Sequence, residues 1–335
     1  MKEDLTHILI SRADSIGDVV LTLPVAKFLK DRFPKVRISF LGKNYTRPVI
    51  EACMYVDEFV NMDDFLNQTI YSEAFLPDCI IHVFPVKEIA KRAKKLKIPL
   101  RIGTTNRLYH WTTCNKLIKF SRKNSDLHEA QLNLKLLAPF GIGQDVSLKE
   151  IEDSFGLEKL LPLQKEFAEL IVPEKYNLIL HPKSQGNGRE WPLENFISLI
   201  RSLDRERYAI FISGTEKEQP ALQPLFEQVA HLVTDITGRM NLSQFISFIN
   251  QCNGLVASGT GPLHIAAALG KDALGIFPPI RPVHPGRWKP IGKRAQVFVL
   301  DKECNECKDH PSACSCIKKV KSDWIKKALD EIVFS

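Results

Sequence analysis

A chain of 335 residues is longer than one hydrophobic core usually grows, so two domains are expected. Its 44% hydrophobic and 25% charged residues are the balance of a folded soluble protein and exclude long disorder. No run of eighteen apolar residues exists to cross a membrane, and the opening MKEDLTHILIS lacks the apolar core of a secretory signal, so the expected address is the cytoplasm.

In chain order, HILIS reads as a buried strand, followed by a helix near residues 17–32 and a second strand, VRISFLG. TRPVIEACM reads as a helix, VDEFVNM as a short strand and DCIIHVFP as a buried one. The helix VKEIAKRAKKL, the strand RIGTT and the amphipathic helix HEAQLNLKLLAPFGI, stopped by glycine, complete this half. After a polar stretch near 143–175 the alternation restarts with YNLILHP, PLENFISLIRSLD, YAIFISGT and ALQPLFEQVAH. It continues through NLSQFISFINQC, GLVASGT, GPLHIAAALG and DALGIFPP to a last amphipathic helix, SDWIKKALDEIVF. Strands alternating with helices at this pitch predict parallel sheets covered on both faces, here as two doubly wound α/β units. Open α/β sheets bind ligands beyond the carboxyl ends of their strands, and each motif below sits at such an end.

The net charge is +7, and part of it lies in KEIAKRAKKLKIPLR, where Lys91, Arg92, Lys94, Lys95 and Lys97 precede Arg101. The run is either a solvated helix face or a surface for acidic material. Without a zinc-finger spacing or an aromatic RNA-binding motif beside it, lipid or small anions fit better than nucleic acid.

Four segments carry candidate chemistry. In SRADSIGDVV, Asp14 or Asp18 either caps the helix that starts at Gly17 or presents a carboxylate as general base, with Arg12 as its partner. In ASGTGPLHIAAALG, the turn Gly259–Thr260–Gly261 precedes a first-turn Pro262, so free amides, the Thr260 hydroxyl and His264 can meet a phosphate; the alternative is a turn that merely lets strand and helix pack. HPKSQGNGREWPLENF offers Lys183, Ser184 and Arg189 around flexible glycines, suited to a pyrophosphate or else an ordinary solvent loop. In FISGTEKE, Glu216 can accept hydrogen bonds from ribose hydroxyls or cap the next helix. Cys304, Cys307, Cys314 and Cys316 could supply four thiolates to zinc, but the single-residue spacer of the second pair favours a reduced, packed cluster. No metal site is expected.

Taken together, RADSIGDVVLTLPVAKFLKDRFP, HPKSQGNGREWPLENF and GTGPLHIAAALG, in this order, resemble the ADP-heptose:lipopolysaccharide heptosyltransferases, glycosyltransferase family 9. The resemblance covers nearly the whole chain. It implies a GT-B fold: an acceptor-binding Rossmann-like domain over 1–155, a nucleotide-sugar-binding one over 156–316, an interdomain cleft, and a C-terminal helix, 317–335, crossing back to the first domain. It implies an inverting transfer from ADP-heptose to a lipid A–Kdo acceptor, without a cofactor, at the cytoplasmic face of the inner membrane. Asp18 takes the role of base, with Arg12, Ser15 and Gly17 at the acceptor. Lys183, Ser184, Arg189, Glu216, Thr260, Gly261, Pro262, Leu263 and His264 take the donor. Many members carry Asp where this chain has Gly259, which opens the identity of the sugar. A GT-B transferase of another nucleotide sugar and a non-catalytic nucleotide- or lipid-binding protein are the alternatives. An NAD-dependent oxidoreductase is disfavoured because no G-x-G-x-x-G follows the first strand.

Overall fold

The computed structural model describes residues 5–334 apart from 68–70, 72–75, 124, 185–187, 302–303 and 305–313. They fall into two compact units, Met1–Lys159 and Leu160–Ser335.

The first unit is built on β1 (His7–Ser11), β2 (Arg37–Gly42), β3 (Glu58–Asn61), β4 (Cys79–His82), β5 (Leu100–Thr104) and β6 (Lys116–Ile118). All pairs are parallel and the order is β3-β2-β1-β4-β5-β6. A central strand of a parallel sheet is covered on both faces, which is why Ile8, Leu9 and Ile10 are all fully buried. In register, Ser11 lies beside Leu41 on one side and His82 on the other.

The helix expected near 17–32 is two helices, Ile16–Val20 and Leu23–Arg32. Pro24 stands at the start of the second, where its missing N–H costs nothing, whereas inside a continuous helix it would remove a hydrogen bond and clash with the preceding turn. Thr22 Oγ1 closes the break by donating to Asp18 O at 2.8 Å.

The second unit repeats the plan with β7 (Tyr176–His181), β8 (Tyr208–Ile212), β9 (Thr234–Asp235), β10 (Gly254–Ser258), β11 (Asp272–Ile276) and β12 (Ala295–Phe298), in the order β12-β11-β10-β7-β8-β9. In both units the first strand is central, with the next two on one side and the last three on the other. The strand order therefore reverses between β1 and β4 in one unit and between β7 and β10 in the other, the positions where doubly wound sheets open for ligands.

The sequence reading separates residues 317–335 as a segment of their own. In the structure the helix Ser322–Phe334 lies on the helix Leu193–Ser202, and Ile325, Ala328 and Leu329 complete the second unit's core with Trp191, Phe196 and Ile200. Trp191 Nε1 donates to Val320 O at 2.8 Å, tying the Trp-Pro turn to that segment. Cys304, Cys314 and Cys316 are buried in the same core, and Cys307 lies outside the described residues.

Candidate active site

At the end of β1 the chain delivers a buried guanidinium. Arg12 is 3% exposed, its amide donates to Leu41 O at 3.0 Å, and its side chain lies over the Phe84 ring. Nε donates to Asp14 Oδ1 at 2.7 Å, one terminal nitrogen pairs with Asp18 Oδ1, and the other reaches Glu129 Oε1 at 3.1 Å and Asn133 Oδ1 at 3.4 Å. Burial alone would lower its pKa, but the charges of Asp18, Asp14 and Glu129 prevail and hold it above the ordinary arginine value. Glu129 is itself 1% exposed and shared with Arg122, whose other terminal nitrogen donates to Val83 O at 3.0 Å, just beyond β4. Asn133 closes the network by donating to Leu21 O and Thr22 Oγ1, both at 3.1 Å.

Among the described residues, Arg12 thus pairs with Asp14, Asp18 and Glu129, and Arg122 with Glu129. Burial pushes the Asp14 carboxyl up to about 6, with the charge of Asp18 adding to the effect and Arg12 opposing it.

Asp18 is not a helix cap. Ser15 occupies the N-cap position of Ile16–Val20 and makes no capping bond; its hydroxyl donates instead to Asp18 Oδ2. Asp18 keeps 17% of its side chain exposed, so the carboxylate is fixed by Arg12 and Ser15 yet reachable. Arg12, expected as the partner of a carboxylate here and also at the acceptor, is buried and pairs with both aspartates. Gly17 is buried within the first turn.

In the second unit the ends of β7 and β10 come together. A side-chain carbon added at Gly188 would stand 3.2 Å from Gly259 O, so the loop after β7 abuts the turn after β10. Thr260 is the N-cap of the helix Gly261–Ala268, with Pro262 in its first turn. The Thr260 side chain makes no capping bond, and its buried Oγ1 has no hydrogen-bond partner among the described residues. A buried hydroxyl left without a partner costs free energy unless a ligand or water meets it. His264 is buried in the same turn, whereas the Leu263 side chain points into the core beside Gly275, so its amide is what remains for a ligand. Arg189 is half-buried. The Gly259 departure has a physical counterpart: a Cβ there would lie 2.8 Å from Phe277 Cε1, so the phenyl ring takes the space of a side chain at 259.

Beyond β8 the two glutamates of GTEKE separate. Glu216 is exposed, while Glu218 is buried and accepts from the Thr215 amide at 2.7 Å and its hydroxyl at 2.9 Å. Glu218 Oε1 and the neighbouring Thr237 Oγ1 are both buried without partners among the described residues. At the end of β7, His181 Nδ1 meets Ser213 Oγ at 2.9 Å. Burial pushes His181 down to about 4 against the pull of Glu218 and Glu190, so it is neutral near pH 7.

Sequence reasoning missed Glu129, Asn133, Glu218 and Glu190. Glu129 and Asn133 carried a signal, a glutamate and an asparagine four apart on the same stripe as Leu132 and Leu136, which a solvated helix would not place there. Glu190 carried none.

Two doubly wound units in one chain, each with polar residues at its strand-order reversal, are the building units of the GT-B fold. The chain belongs to glycosyltransferase family 9: the family model described as "Glycosyltransferase family 9 (heptosyltransferase)" matches residues 90–318. It is 25% identical over 315 residues to lipooligosaccharide heptosyltransferase 2 of Haemophilus influenzae, covering 88% of each chain. Among solved structures it superposes on a family 9 glycosyltransferase of Veillonella parvula with a TM-score of 0.81, at 19% identity over 100% of this chain and 99% of that one. The ADP-heptose lipopolysaccharide heptosyltransferase II of Escherichia coli gives 0.73, at 17% identity over 98% and 99%.

Proposed function

We propose that this glycosyltransferase moves a heptose from ADP-heptose to the lipid A–Kdo inner core of lipopolysaccharide, with inversion, and that Asp18 is its general base. The observation that carries the reading is the Asp18 carboxylate, free of capping duty in the first turn of the helix Ile16–Val20, oriented by Arg12 and Ser15 and still partly exposed. An ionised carboxylate has about four acceptor positions, of which those two donors take two. An acceptor hydroxyl bound there gives its proton to Asp18 as its oxygen bonds to the anomeric carbon. The bond from that carbon to the diphosphate breaks, and ADP leaves with the electron pair. Such base assistance is worth roughly 10²–10⁴-fold.

The charge growing on the diphosphate is assigned to Lys183, Arg189 and the amides and hydroxyl of the Thr260 turn; preorganised donors of this kind are often the largest catalytic term. For the ribose, the buried and half-satisfied Glu218 fits better than the exposed Glu216.

The basic run supports a peripheral contact with anionic lipid at the cytoplasmic face of the inner membrane. Lys87, Lys91, Lys94 and Lys95 are exposed on the helix Lys87–Lys95, whose apolar face of Ile89, Ala90 and Ala93 is buried. The neighbouring helix His110–Thr113 and the loop before it expose Trp111 and Leu108. Cations beside exposed apolar side chains suit an anionic lipid surface. Arg101 does not belong to this face, because its guanidinium donates to the carbonyls of Ile98 and Thr113. Among the described residues no helix is long and apolar enough to span a membrane.

A second reading, transfer of a different nucleotide-activated sugar, is favoured by Gly259 and the Phe277 ring beside it. A thermal-shift panel separates the two. ADP-heptose should raise the unfolding midpoint more than UDP- or GDP-sugars, and a larger response to either of those would select the second reading.

A further inference from the structure

Glu190 closes on the groups that the donor reading assigns to phosphate. Its Oε2 is ion-paired with Lys183 Nζ. Its Oε1 accepts from the Ser184 amide at 3.0 Å and from Ser184 Oγ at 3.3 Å. One carboxylate therefore gathers an ammonium, a backbone N–H and a hydroxyl, which is the donor set that a phosphate oxygen seeks. The set lies at the end of β7, on the loop that Gly188 brings against Gly259, next to the Thr260 turn.

The pairing differs from the molecule's structural ion pairs. There the carboxylate is sealed even where its cation is not: the Asp272 side chain is 4% exposed against 51% for its partner Arg294, and the Glu129 side chain 2%, whereas Glu190 keeps 32% of its side chain in solvent and Lys183 21%. A pair this open is weak and exchangeable. A buried carboxylate would be part of the frame; this one can swing out.

We infer that Glu190 is a built-in anion that competes with the donor's diphosphate for Lys183 and Ser184, and so sets how tightly the chain holds nucleotide. The inference rests on the donor reading given above and adds a residue to it. When the diphosphate arrives, it takes over the Lys183 ammonium and the Ser184 donors, and the Glu190 carboxylate turns to water. When the sugar has left, the carboxylate competes for the same donors and speeds release of ADP. Product release limits turnover in many transferring enzymes, so weakened nucleotide binding is a gain in rate rather than a defect.

The alternative is that Glu190 merely braces its loop, and the two roles predict opposite signs. Glu190→Gln keeps the shape and removes the charge. It should bind ADP roughly five- to thirty-fold more tightly by calorimetry on the full chain, the range set by one open ion pair with two accompanying hydrogen bonds. Its inhibition constant for ADP should fall in parallel, and kcat should fall as release slows. Glu194→Gln removes a nearby exposed charge that holds neither Lys183 nor Ser184, and should stay within about twofold of the unaltered chain. Glu190→Ser, a second variant should the first fold poorly, should shift affinity in the same direction. Unchanged or weaker ADP binding by the Glu190 variants overturns the competition, as does an equal gain in Glu194→Gln. Absence of ADP binding in the unaltered chain and the variants alike would instead overturn the donor reading beneath it.

Discussion

Replacing Arg12 with lysine keeps the positive charge and removes the fork. The guanidinium makes four hydrogen bonds, to Asp14, Asp18, Glu129 and Asn133, in a site where Arg12 is 3% exposed. An ammonium is a compact charge on a flexible stem and cannot span three carboxylates in one plane. Losing one or two charge-assisted bonds at about 1.5–3 kcal/mol each gives a cost near 3 kcal/mol, in line with the ~3–5 kcal/mol of a disrupted buried pair. With a urea m-value of about 2 kcal/mol per molar, the unfolding midpoint should fall by roughly 1.5 M. Asp18 also loses its fixed orientation, and a reacting group displaced by an ångström can cost about a hundredfold in rate. An Arg12→Lys enzyme within about 1 kcal/mol of the unaltered stability and threefold of its kcat would refute the role given to the guanidinium fork.

Two further predictions follow from charge. The Asp14 carboxyl, lifted to about 6 in the folded chain, favours its neutral form there; its stabilising contribution is complete below the unfolded value near ~4 and is lost as pH rises through about 6. Asp14→Asn should therefore gain on the unaltered chain, by up to about 2 kcal/mol in unfolding free energy, between pH 4 and pH 7.5; a gap that does not change with pH would show that burial does not hold the Asp14 carboxyl above its ordinary value. Reversing Lys91, Lys94 and Lys95 to glutamate should leave the thermal midpoint within about 2 °C, as exposed substitutions do, while abolishing flotation with phosphatidylglycerol vesicles at low salt; retained flotation would remove the helix from the lipid reading.

The sheets were legible because their central strands are covered on both faces, which forces runs such as Ile8–Ile10 and Leu178–Leu180 to be wholly apolar. Of the four edge strands, Glu58–Asn61 was read from VDEFVNM and the other three were not. Lys116–Ile118 and Thr234–Asp235 are too short and too polar to carry a period, and Ala295–Phe298 is half-covered. The break at Leu21–Thr22 was in principle readable from Pro24. At the site, the turns carrying Asp18 and Thr260 were found from local glycine and proline chemistry. What sequence could not give was the pairing across distance: Arg12 meets Glu129 from 117 positions away, and only the fold brings the two together. Glu218 went unnoticed beside Glu216 because the bonds from the Thr215 amide and hydroxyl that hold it inward depend on backbone geometry.

The most direct test of the account is Asp18→Asn, assayed for turnover with ADP-heptose and a lipid A–Kdo acceptor alongside ADP affinity. The asparagine keeps the size, its Oδ1 can still accept from Arg12 and its amide can donate to the Ser15 hydroxyl, but it cannot take a proton. The account predicts a fall in kcat of roughly 10²–10⁴-fold with ADP affinity changed by less than about twofold. A variant that turns over within tenfold of the unaltered enzyme would contradict the assignment of the base.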